Sequence, residues 1–92
     1  MSYVYAEHRF FVFTEEGVKK TFAVIAKARE AFSCADAVRA SMLLQAAGAG
    51  DSWKNMAVID YLEESGYLTA LPCAQTEAWQ RRVFVPGEKP LP

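Results

Sequence analysis

The chain has 92 residues, 52% hydrophobic and 13% aromatic, with ten basic side chains against eleven acidic ones for a net charge of −1. That length gives room for one domain and one core, and the composition excludes a disordered chain. It also excludes the basic excess that marks strong non-specific binding to nucleic acid.

The first residues, Met1 to Arg9, show no basic region leading into a continuous apolar run, so no signal peptide is expected. Apolar stretches fall far short of the ~20 residues that span a bilayer. A cytoplasmic protein with no membrane partner is the expectation. Arg9 to Phe13, dense in aromatic and β-branched side chains, predicts a strand reaching back to about Tyr3. Thr14 reads as a helix N-cap, with Glu15 and Glu16 set to meet the positive end of the helix dipole. Val18, Phe22, Ile25, Arg29 and Phe32 then recur at alternating four- and three-residue steps and predict the buried stripe of a first helix. Gly17 costs that helix about 1 kcal/mol relative to alanine, near an end where fraying is cheap. A hairpin turning at Glu16-Gly17 is the competing reading.

Ser33 predicts the cap of a second helix, with Ala35, Val38, Met42 and Ala46 on one face and Gly48-Ala49-Gly50 ending it. Asp51-Ser52 predicts the cap of a third, with Met56, Ile59 and Leu62 as its buried stripe and Gly66 at its C′ position. Tyr67 to Leu71 reads as a short strand stopped by Pro72, and a polar loop from Cys73 to about Ala78 follows. Gln80 to Val85 is the last strand, halted by Pro86. The expected fold is α+β in the order β-α-α-α-β-β: three helices with a small antiparallel sheet. One domain spans residues 1–86, and a flexible Pro-rich tail spans 87–92. Cys34 and Cys73 lack a CxxC spacing and are expected as small buried residues rather than a disulfide.

Three helices followed by a two-stranded hairpin resemble the winged helix-turn-helix family. The residues that carry the resemblance are Leu62-Glu63-Glu64-Ser65-Gly66-Tyr67-Leu68 and Arg81-Arg82-Val83-Phe84-Val85. The resemblance implies a transcription-regulator-like module whose third helix enters the major groove of double-stranded DNA. Ser52, Trp53, Lys54 and Asn55, with Val58 further along, are then the positions that meet DNA. Asn55 pairs with adenine, and Lys54 with guanine or a phosphate. Arg81 and Arg82 sit at the wing, on the backbone or in a minor groove. The plainer role for that arginine pair is to guard an edge strand against unwanted pairing.

The third helix departs from the DNA-binding pattern. It carries Asp51, Asp60, Glu63 and Glu64 against Lys54 alone, and carboxylates repel phosphates. The alternative is a non-enzymatic module for protein–protein interaction or self-association as a homodimer. Trp53 is either an anchor for a partner or a core residue, and Trp79 carries the same ambiguity.

Catalytic chemistry is not legible. His8 is the only histidine and is expected on an exposed strand; with Cys34 and Cys73 it lacks zinc-site spacing. Gly48-Ala49-Gly50-Asp51 lacks the Lys-Ser/Thr of a phosphate loop. The pairs Glu15-Glu16 and Glu63-Glu64 are adjacent on helices and read as solvated faces. No enzyme activity, cofactor or metal is expected.

Overall fold

The computed structural model describes residues 3–48, 52–71 and 82–92, without the side chain of Ser52. Helix α1 (Tyr5–His8) leads into a 3₁₀ turn (Arg9–Phe13), then α2 (Glu15–Phe32) and strand β1 (Val38–Arg39). Helices α3 (Ala40–Ala47) and α4 (Ser52–Glu64) follow, and strands β2 (Leu68–Ala70) and β3 (Val83–Pro86) close the chain. The class is α+β, with four α-helices among the described residues and a three-stranded antiparallel sheet in the order β1-β3-β2. None of the described helices is long and apolar enough to cross a membrane.

The chain does not begin with a strand, and the burial pattern shows why. Phe11 and Val12 are both buried, whereas Phe10 and Phe13 on either side are exposed. A strand alternates its side chains and cannot bury two neighbours on one face, whereas a 3₁₀ turn returns to the same face every third residue. β-Propensity describes fit to a sheet, and here the segment packs on α4 instead.

Thr14 joins the turn to α2. Its hydroxyl donates to the Phe11 carbonyl at 2.7 Å and accepts from the Gly17 N–H at 3.1 Å, so the N-cap forms as expected and no hairpin turns there. Gly17 is essential to this junction. A Cβ at that position would stand 2.0 Å from the Phe11 carbonyl oxygen and 2.8 Å from the backbone of Val12.

The buried side of α2 is Gly17, Val24, Ile25 and Ala28. Of the predicted stripe only Ile25 is fully inside; Phe32 is half-buried, and Val18, Phe22 and Arg29 face outward. Ser33 ends α2 rather than starting the next helix, its hydroxyl donating to the Glu30 carbonyl at 2.6 Å. The second helix starts late because Val38 is taken into the sheet opposite Phe84. Ala40, Leu43 and Ala47 are its buried side, while Met42 is exposed. Lys20 of α2 donates to the carbonyl of Ala47 at 2.8 Å, closing the end of α3. Gly48, with φ of 120°, terminates α3; Ala49, Gly50 and Asp51 lie outside the described residues.

α4 keeps its expected core residues, Met56, Ile59 and Leu62, and adds Asn55, Ala57 and Val58. Gly66, at φ of 94°, ends it as expected. Its N–H donates to Glu63 and that of Tyr67 to Leu62, the two bonds of a Schellman cap. Phe84 is central to the sheet, fully buried between Val38 on β1 and Ala70 on β2. Pro86, expected to halt the last strand after Val85, is itself the last residue of β3. Beyond it the Pro-rich end, expected to run free, is held at its start. Gly87 N–H donates to Tyr67 and Lys89 N–H to Gly66. The loop Cys73–Ala78, Trp79 and Gln80-Arg81 lie outside the described residues.

The clash at Gly17 sets a test. Helix propensity alone predicts that Gly17→Ala stabilises by about 0.4–1 kcal/mol. The close approach predicts the reverse, a loss of about 2 kcal/mol or more and a fall in melting temperature of roughly 10 °C. Thermal and urea melts decide between them.

Candidate functional site

The first eleven described residues lie along α4 and surround Trp53 and Lys54, two of the residues expected to meet DNA. Tyr3 donates its phenolic proton to Asp60 at 2.6 Å. Tyr5 donates to Glu64, and Arg9 forms an ion pair with that same carboxylate, both at 3.3 Å. Burial first, then the bond to Asp60, push the Tyr3 phenol well above its ordinary range. Burial, then the charge of Glu64, push Tyr5 up to about 12. Burial and the neighbouring Asp60 also raise the Glu63 carboxyl, against the pull of Arg82.

Trp53 is half-buried among aromatic rings. His8 lies 4.3 Å from it, Phe11 meets it edge-on at 5.9 Å and Phe10 stands at 6.5 Å. His8, expected on an exposed strand, is half-buried at the end of α1, its Nδ1 2.8 Å from the Val4 carbonyl. Lys54 has its ammonium 3.7 Å from Glu16 and 5.2 Å from the centre of the Phe11 ring, and its side chain is 29% exposed. Asn55 is 3% exposed. Its amide donates to the Gly48 carbonyl at 2.7 Å, while its side-chain oxygen is buried without a partner among the described residues. This amide ties α4 to Gly48 at the end of α3. Val58 is fully buried. Ser52 opens α4, and Arg82 lies 3.7 Å from Asp60. Arg81 lies outside the described residues.

A second feature was not anticipated. Val12, Phe13, Val18, Thr21, Phe22 and Tyr61 line an apolar groove of about 200 Å³ between the 3₁₀ turn, α2 and α4. Phe13 meets Tyr61 edge-on at 5.5 Å. Phe13 and Phe22 are 64% and 63% exposed, and Val18 is exposed beside them; Phe10, 61% exposed, stands by Trp53 instead. The sequence holds a signal for this surface in α2, which carries more large apolar residues than one buried face requires.

Cys34, expected to be buried, is exposed at the end of α2, its thiol near the Glu30 and Ala31 carbonyls; Cys73 lies outside the described residues. No group of three metal-ligating side chains occurs among the described residues.

The tyrosine–carboxylate clamp carries a pH signature. The folded chain keeps both phenolic protons above pH 10, whereas the unfolded chain releases them near the ordinary value of 10.0. The clamp's contribution to stability is therefore full below pH 10 and declines as pH rises through about 12. Denaturant melts from neutral to alkaline pH show that loss in the native chain. The double change Tyr3→Phe and Tyr5→Phe flattens it.

No family model, no curated protein and no solved structure matches the chain.

Proposed function

We propose that the protein is a non-catalytic interaction module on a winged-helix-like framework, and that it binds protein through the aromatic face of the 3₁₀ turn and α2. The framework reading rests on α2, α3 and α4 followed by the antiparallel pair β2–β3. One observation carries the functional reading: the rings of Phe13 and Phe22, each more than 60% exposed, line an apolar groove together with Val18. Isolated exposed apolar residues are ordinary, but contiguous patches mark binding surfaces. With each ring presenting on the order of 200 Å² when free, the two leave on the order of 250 Å² of apolar surface in water. Covering that area is worth roughly 6 kcal/mol before the costs of association. A groove of about 200 Å³ is smaller than the ~300–1,000 Å³ that encloses a small ligand. A macromolecular surface fits it better.

Binding of duplex DNA by α4 is the second reading, favoured by the order of the elements. It requires Lys54 and Arg82 to leave Glu16 and Asp60. It also requires a reading face beyond the buried Asn55 and Val58. The carboxylates Asp60, Glu63 and Glu64 share that helix and oppose a phosphate backbone.

A photoreactive phenylalanine analogue at position 22 tests the first reading in cell extract, with the same analogue at exposed Ser41 on α3 as control. Protein adducts at 22 and none at 41 are expected; equal labelling overturns the assignment. In parallel, fluorescence anisotropy with a mixed-sequence duplex at low salt is expected to show no binding. Binding that weakens about tenfold in Lys54→Glu or Arg82→Glu moves the function to α4.

A further inference from the structure

The outward side of α2 carries an ordered stripe. At about 100° per residue, Glu15, Val18, Phe22, Ala26 and Arg29 fall within about 40° of one line along the helix. All five are exposed, and the line lies about 120° around the helix from the mean direction of the buried Gly17, Val24, Ile25 and Ala28. The stripe is apolar in the middle, small at Ala26, acidic in the first turn and basic in the last. We infer that this face pairs with a second copy of the chain, α2 against α2 in antiparallel sense about a two-fold axis near Phe22. The inference rests on the protein-binding reading above and names the partner.

Three observations select a second copy. First, the stripe is self-complementary. Turned end for end about Phe22, it sets Glu15 opposite Arg29 of the other copy and Val18 opposite Ala26. A parallel pairing would set Glu15 against Glu15, Lys19 against Lys19 and Arg29 against Arg29. A two-fold interface requires such a match of a surface with itself. Second, the small side chain of Ala26, exposed on the stripe, lets the helices approach where Val18 of the other copy needs room to insert. Third, the area fits. A stable interface covers ~800 Å² per partner, a little over half of it apolar. The exposed parts of Phe22 and the adjoining Phe13, on the order of 250 Å², supply about half of that apolar part, with Val18 and Ala26 exposed beside Phe22. The in-chain bond of Glu15 to Lys19, at 3.8 Å between two side chains 77–90% exposed, leaves Glu15 available to exchange partners.

Sedimentation equilibrium of the full chain from about 1 μM to about 1 mM tests this. A dimer that forms in that range supports the inference if Phe22→Glu, on an exposed site, keeps its helical spectrum and weakens association at least about 100-fold. Register is read by disulfide trapping with Cys34 and Cys73 changed to serine. In an equal mixture of Val18→Cys and Ala26→Cys chains, the mixed disulfide is expected to dominate. Dominance of the Val18→Cys homodimer overturns the antiparallel pairing. A chain that stays monomeric throughout overturns self-association alone, because adducts to other proteins at position 22 still carry the broader reading. A dimer unaffected by Phe22→Glu, with no adducts at 22, overturns both.

Discussion

The bare Cα of Gly17 lets the carbonyl of Phe11 sit against the start of α2, closer than any side chain there would allow. Much of the molecule follows from that contact. It directs the N-terminal residues across α4 rather than into the sheet, and it buries Phe11 and Val12 together. The three-residue period of the turn then turns Phe10 and Phe13 outward. A single hydrogen atom in place of a methyl group thus governs both what is covered and what is left open.

What is covered is α4. With α1 and the 3₁₀ turn along one side, α2 and α3 along others and β2 at its end, this helix serves as the axis of the domain. Its charged side chains meet partners within the fold: Lys54 with Glu16, Asp60 with Tyr3 and Arg82, Glu64 with Tyr5 and Arg9. What is left open is the far side of α2, so that helix has two apolar faces. One is satisfied by the core. The other is not.

Local signals in the sequence survived where local physics decides the outcome. Thr14 caps α2 because its hydroxyl reaches the Gly17 N–H, and Gly66 ends α4 because it takes a positive φ. The stripe Met56, Ile59 and Leu62 is buried because α4 has apolar neighbours on that side. Signals failed where a distant partner decides. Val38 looked helical by spacing and became a strand because Phe84 pairs with it. Periodicity located an apolar line on α2 through Val18 and Phe22, but spacing alone cannot say which of two such lines faces the interior. The residues of the proposed surface were therefore visible as apolar yet assigned to the wrong side. Trp53 and Lys54, expected to meet DNA, were visible at a helix start, but not as residues packed against the N-terminal segment.

The ammonium of Lys20 bound to the last carbonyl of α3 has a dynamic consequence. A helix of eight residues is too short to persist alone in water. Borrowing its terminal donor from α2 makes its unwinding cooperative with movement of that neighbour. Amide protons of Leu43 to Ala47 should then exchange with solvent on the schedule of α2, and whatever rigidifies α2 from outside will slow them too.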